Sequence, residues 1–280
     1  MTGALVLVGT PIGNLGDLSP RAVDALSTAD VIACEDTRRT RALLTHAGIP
    51  AAGRLRAVPA HDEAARTEGI VTLVSDGARV AFVTDAGMPG ISDPGAHLVR
   101  ACVAAGLAVE VVPGPDAATT ALVLSGLPSD RFVFEGFLPR KGRSRADRLR
   151  AIAGEPRTVV VYESPRRVLA TLRDLEDACG SERPVALARE LTKLHEEMRR
   201  GSIGSVRAEL GDDEPRGECV IVLGGAPADD TPATEAEVDA ALTVELASGA
   251  STRDAADAVS ARLRVARRDA YARAVTLKAR

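Results

Sequence analysis

Four loops carry residue types that suit close contact with a ligand. They are Gly9-Thr10-Pro11-Ile12-Gly13-Asn14, Glu35-Asp36-Thr37-Arg38, residues 85–95 (DAGMPGISDPG) and residues 113–118 (PGPDAA). Their glycines and prolines let backbone approach a ligand without side-chain obstruction. Such loops following one another in one half of the chain point to a nucleotide-like ligand. Familiar phosphate readings fail, however. Residues 9–13 are not GxGxxG, and Pro11 removes a backbone donor where a pyrophosphate would need one. There is no GxxxxGK[ST] and no GxSxG elbow. His46, His61, His97 and His195 lack HExxH or CxxC company, although His61-Asp62-Glu63 forms a polar cluster. The cysteines (Cys34, Cys102, Cys179, Cys219) are too scattered for a metal site and read as reduced core thiols, so no metal is expected.

The elements that must position these loops follow from pattern. Residues 4–8 form a continuous apolar run, as in a strand covered on both faces. Ser19-Pro20 opens a helix, with Ser as N-cap and Pro at the first helical position. Strands are expected at 31–34, 80–84 and 109–112, with helices over 40–47 and around 98–105. This alternation predicts a parallel α/β sheet. In the second half, strands at 132–135, 158–162, 184–189 and 219–223 outweigh the helices (144–153 and 164–178), which predicts a mixed sheet. Residues 224–234 read as a linker, followed by helices at 235–247, 251–263 and 267–278, with a capping box at Ser251-Asp254. The expected organisation is an α/β domain over 1–113, a second α/β domain over 114–226 with the ligand cleft between them, and a small basic helical extension over 233–280.

Composition narrows the partners. The 280 residues carry a net charge of −4 and only four Phe, two Tyr and no Trp, which argues against a general nucleic-acid coat that stacks bases. The average conceals local asymmetry. Residues 139–150 hold six bases and one acid, and 253–280 hold eight bases and three acids, so a selective anion site survives. The final helix, with Arg264, Arg267, Arg268 and Arg273, reads either as a solvated cap or as a nucleic-acid contact. No apolar run is long enough to span a membrane, and the N-terminus reads as a strand rather than a signal peptide, so the expected location is cytoplasmic.

GTPIGNLGDLSPRA, CEDTRRTRALLTHAGI, VTDAGMPGISDPG, VPGPDAATTALVLSGLPSDRFVFEGFLPRKG, VYESPRR and LARELTK occur in this order. Together they resemble the bacterial ribosomal RNA small subunit methyltransferase I family, whose members methylate a ribose 2′-oxygen of cytidine in 16S rRNA. That family lies within the tetrapyrrole-methylase-like (class III) S-adenosylmethionine-dependent methyltransferases. The resemblance runs from about residue 4 to 223 and includes the basic tail. It implies a homodimer with S-adenosylmethionine in a cleft between two α/β domains.

Carried over by position, it implies that Pro11, Gly87, Met88, Ile91, Ala117, Ala118, Tyr162, Glu163, Arg189, Glu190 and Leu191 contact the donor, with Asp85 shaping the loop. The family commonly has Thr where this chain has Met88. The acceptor is a weakly acidic hydroxyl, so a base or a charge that favours the alkoxide should help. Candidates are Asp36, Glu163, Glu190 and Lys193; a neutral Lys193 could take the proton, and a charged one could stabilise the developing charge. These residues read equally well as salt-bridge partners. Arg38, Arg39 and Arg41, with Arg140, Lys141, Arg143 and Arg145 in an expected exposed loop, are the candidates for contact with rRNA phosphates. Two alternatives stay open: a small-molecule, tetrapyrrole-type methylase, and a non-catalytic RNA-binding or ribosome-assembly factor.

Overall fold

The computed structural model describes residues 3–51, 53–227, 233–263 and 265–278. Arg264 and part of the expected linker, 228–232, lie outside them. The chain forms two compact units, Met1–Ala226 and Pro227–Arg280.

In the first unit, β1 (Ala4–Val8), β2 (Val31–Cys34), β3 (Leu55–Ala57), β4 (Arg79–Val83) and β5 (Ala108–Val112) form a sheet in the order β3-β2-β4-β1-β5. Every pairing is parallel. The unbroken apolar runs follow from burial on both faces. On one face, α1 (Pro20–Thr28) and α2 (Thr37–His46) pack Leu26 and Leu44 against Val6, Val8 and Ile32. On the other, α3 (Glu63–Ser75) and α4 (Ala96–Ala104) pack Ile70, Val74 and Leu98 against Leu5, Val80 and Phe82. Ser19 Oγ accepts the Ala22 N–H at 3.1 Å, fixing the start of α1.

The second sheet is mixed. It holds β6 (Phe132–Phe137), β7 (Thr158–Glu163), β8 (Pro184–Arg189), β9 (Glu197–Ser202) and β10 (Cys219–Leu223) in the order β6-β7-β10-β8-β9. Only β6 and β7 run parallel. One face carries α5 (Ala117–Ser125), with Ile12 of the first loop packed into the same cluster. The other carries α6 (Arg143–Ala153), α7 (Val168–Cys179) and α8 (Ile203–Leu210). Ser164-Pro165 does not open α7 directly; a 3-10 turn, Pro165–Arg167, comes first.

In the second unit, α9 (Glu235–Ala247), α10 (Thr252–Leu263) and α11 (Arg267–Lys278) close over Val238, Leu242, Ala255, Val259 and Ala274. Ser251 Oγ accepts the Asp254 N–H at 3.1 Å and donates to its Oδ2 at 2.6 Å, so the Ser251 side chain caps the start of α10. The basic character of these helices is largely matched within the unit. Arg262 pairs with Glu245, Arg267 with Asp257, and Arg273 with Glu235 and Asp239.

Candidate active site

The loops at the carboxyl ends of the first sheet are locked to one another by backbone. Thr10 and Gly87 exchange N–H···O bonds of 2.9 and 3.1 Å, tying the loop after β1 to the loop after β4. Gly9 crosses Gly114 so closely that a Cβ on Gly9 would lie 2.6 Å from the Gly114 nitrogen. Into this crossing Met88 inserts its sulfur, which accepts the Gly114 N–H at 3.3 Å. The far end of the 85–95 loop is anchored by Glu63. Its Oε1 accepts the N–H groups of Gly95, His97 and Leu98, each at 3.0 Å, and so caps α4.

These loops face β6, β7 and β10 across a cavity of about 410 Å³, within the size range of ligand pockets. Gly87, Met88 and Ile91 line one side, and Ala117, Phe137, Tyr162 and Val220 the other. Tyr162 is fixed there: its hydroxyl accepts the Ala118 N–H at 3.0 Å, and its ring meets Phe134 and Phe137 edge-on. Burial, reinforced by Asp116, pushes its phenol up from the ordinary value. The walls are acidic. Glu35, Asp85, Asp93, Asp116, Glu163 and Glu218 line the cavity against Arg39 as the one cation among its lining residues. Burial first, then the neighbouring acids, raises Glu35, Asp85 and Asp93, the last to about 7. Asp85 holds Arg39 at 3.4 Å, while its buried Oδ1 has no hydrogen-bond partner among the described residues. Such a lining suits a cationic ligand and would repel a triphosphate.

The structure distributes the expected site residues as follows. Asp85, Gly87, Met88, Ile91, Ala117, Tyr162 and Glu163 share the cavity. Pro11 lines an adjoining cavity of about 340 Å³ together with Lys193. Ala118 and Leu191 are buried in the apolar cluster under the second sheet. Arg189 pairs with Glu197 at 2.8 Å and lines a separate surface depression.

The base candidates are mostly engaged elsewhere. Asp36 caps α2 by accepting the Arg38 N–H at 2.7 Å, and hydrogen bonds from Arg38 hold its carboxyl at about 2. Glu163, 2% exposed, accepts from the Ser164 N–H at 2.8 Å and the Thr171 hydroxyl at 2.7 Å. Lys193 Nζ donates to Glu190 at 2.9 Å and Glu218 at 3.0 Å. Burial pushes Lys193 down and Glu190 up, but these hydrogen bonds outweigh it, raising the lysine and lowering the glutamate. Lys193 is therefore a charged ammonium, which removes the neutral-base version of its role.

Of the basic candidates, Arg38, Arg39, Arg41, Arg140, Lys141 and Arg143 are exposed. Arg145 corrects the expectation of an exposed loop. The loop ends at Gly142, α6 begins at Arg143, and Arg145 is only 9% exposed. Its guanidinium donates to Asp174 at 2.7 Å, the Pro139 carbonyl at 2.9 Å and Thr171 Oγ1 at 3.0 Å, so its charge is used inside the fold. Sequence reasoning did not single out Asp93, Asp116, Phe137 and Glu218, which line the cavity. Asp93 had a signal in its Gly/Pro-rich loop; Phe137 and Glu218 come from strand ends of the second sheet, which pattern alone does not orient.

Residues 4–207 match the family described as Tetrapyrrole (Corrin/Porphyrin) Methylases, which sets the class. Solved structures agree on the fold. Uroporphyrin-III C-methyl transferase from Thermus thermophilus, complexed with S-adenosyl homocysteine, superposes with a TM-score of 0.57 at 24% identity over 79% of this chain and 97% of that one. Diphthine synthase gives 0.63 at 13% identity over 79% and 90%. Curated relatives go further. "Ribosomal RNA small subunit methyltransferase I" of Synechocystis sp. is 43% identical over 99% of both chains. The protein of that name from Escherichia coli O157:H7 is 47% identical over 87% of this chain and 86% of its own length. The chain belongs to the ribosomal RNA small subunit methyltransferase I family.

Proposed function

We propose that the protein is an S-adenosylmethionine-dependent methyltransferase that modifies the ribose 2′-oxygen of a cytidine in 16S rRNA of the small ribosomal subunit. The observation that carries this is the acidic cavity between the two sheets, in a chain similar over nearly its whole length to rRNA methyltransferases. The small-molecule alternative is less supported by these relatives.

The residues fit the donor. The Gly9–Gly114 crossing and Gly87, with φ of +76°, leave backbone where side chains would intrude. The surplus of carboxylates complements a sulfonium and an ammonium. S-adenosylmethionine supplies a methyl group on a sulfur that is its own leaving group. The protein must therefore align the acceptor oxygen, exclude water and take a proton. Met88, Ile91, Ala117 and Tyr162 shape the walls. Asp93, on the wall of the same cavity, is the proposed proton acceptor: burial and the neighbouring acids raise its carboxyl to about 7, which suits a general base. Lys193, held charged, and Arg39 supply positive charge beside the acceptor path.

Arg38, Arg39, Arg41, Arg140, Lys141 and Arg143 are the proposed phosphate contacts. This reading includes a cytoplasmic location, a homodimer and domain boundaries at 113/114 and 226/233. The experiment is methyl transfer from labelled S-adenosylmethionine to small subunits lacking their native modifications, with naked 16S rRNA alongside, followed by nuclease mapping. Label in one 2′-O-methyl cytidine supports the proposal. Donor binding with no label in either RNA overturns it in favour of a small-molecule acceptor. Sedimentation of the purified protein tests the dimer.

A further inference from the structure

The donor cavity adjoins a second one, of about 340 Å³, and the two share Ile12, Arg39, Asp85, Ala86 and Glu218, so they meet along one wall. Beyond that wall the second cavity has apolar surfaces from Pro11, Leu15 and Leu43, with Lys193 at its edge. An apolar slot flanked by cations takes a nucleoside with its phosphates outside.

Three non-glycine residues among those described have left-handed backbone: Ser92 (φ 62°), Glu190 (φ 53°) and Thr192 (φ 64°). Ser92 lines the donor cavity; Glu190 and Thr192 flank the loop that puts Lys193 on the second. Such conformations are costly for residues with a side chain and persist where surrounding structure enforces them. Here the Asn14 N–H donates to Thr192 Oγ1 at 3.0 Å, the Thr192 N–H to Glu196 Oε2 at 2.6 Å, and the Lys193 N–H to the Glu190 carbonyl at 3.0 Å. The residue this loop presents is Leu194, 92% exposed. A flexible loop would be free to fold an apolar side chain down; this one holds it out, next in sequence to the Lys193 that lines the cavity.

We propose that the second cavity receives the acceptor nucleoside of an RNA strand and that Leu194 is the wedge filling the gap left in the stack. The inference rests on the RNA-methylation reading above. An oxygen within a stacked strand cannot reach a donor recessed between two sheets, so the nucleoside has to turn out. Apolar side chains are what proteins insert where bases part. Arg39 of α2 lines the same cavity, and the exposed Arg38, its neighbour in sequence, suits the strand's phosphates.

The test compares wild type, Leu194→Ala, Leu194→Met and Leu15→Trp on small subunits lacking their native methylation. It reads kcat/KM for methyl transfer and Kd for S-adenosylmethionine. Leu194→Ala should lower kcat/KM by about tenfold or more, with Leu194→Met restoring most of it and donor Kd unchanged within about twofold. Leu15→Trp, which fills the second cavity and does not touch the first, should lower it similarly at unchanged donor Kd. A kcat/KM for Leu194→Ala within about twofold of wild type overturns the wedge. The same result for a folded Leu15→Trp overturns the pocket. Absence of transfer by the wild-type protein to any RNA would instead refute the reading on which the proposal rests, and the proposal with it.

Discussion

Gly114 donates its backbone N–H to the sulfur of Met88 at 3.3 Å, at the point where Gly114 crosses Gly9. The residue that differs from the family's common threonine is thus a joint between loops, and its sulfur faces backbone. Replacing Met88 by Leu keeps the volume and removes the acceptor. The expected cost is about 1 kcal/mol of stability, since sulfur is a weak acceptor, with a modest loss of donor affinity. Gly9→Ala is the severe variant, because its Cβ meets backbone at 2.6 Å and nothing flexible can yield. Donor binding should vanish in calorimetry while Met88→Leu retains it.

Arg145 and its exposed neighbours separate stability from RNA binding. Arg145→Ala strips partners from Asp174, Thr171 and the Pro139 carbonyl and should lower stability by about 2–3 kcal/mol, read from urea unfolding. Replacing Arg140, Lys141 and Arg143 together by Ala should leave unfolding within about 0.5 kcal/mol. That triple variant should weaken RNA binding and flatten its salt dependence while sparing donor affinity. RNA affinity unchanged at physiological salt would remove this loop from the interface.

That contrast also marks how far sequence carries. β1 and β2 were legible because burial on both faces leaves an unbroken apolar run, and α9 to α11 because their caps and spacing are local. Four of the second sheet's five strands were legible as strands, and its mixed character followed from the scarcity of helices. Arg145 was misplaced because its partners Thr171 and Asp174 lie on α7, and local charge density cannot report a distant acceptor. β9 escaped notice because its residues, Glu197–Ser202, are mostly polar and pair only on one side. The donor loops announced themselves through Gly and Pro, whereas the acidity of the cavity arises only when Glu218 of the second sheet meets Asp85 and Glu35 of the first.

Glu63 ties a sequence feature with no evident role to the donor loop. One carboxylate oxygen accepts three backbone N–H groups at the start of α4, where the helix dipole also favours negative charge. Glu63→Ala leaves these donors to water and should cost about 1–3 kcal/mol. Because the 85–95 loop ends there, donor affinity should fall as well, and hydrogen exchange should quicken at Gly95, His97 and Leu98. Unchanged protection at those amides would show that the loop is held by other contacts.

As the proposed base, Asp93 sets the pH dependence expected of the reaction. Burial, then Glu35, Asp85 and Glu218, raises its carboxyl to about 7, so it is a working base only above neutrality. The rate of methyl transfer at saturating donor should rise through about pH 7 and level off. Asp93→Asn should lose about 10²-fold or more in rate and lose that rising limb. The stability effect of the same group has the opposite sign. With its folded pKa raised, Asp93 contributes stability that is complete below the ordinary carboxylate range and is lost as pH climbs through about 7. A rising rate over that window therefore cannot come from a firmer fold. If Asp93→Asn keeps the limb in the rate profile, proton acceptance belongs to another carboxylate of the cavity.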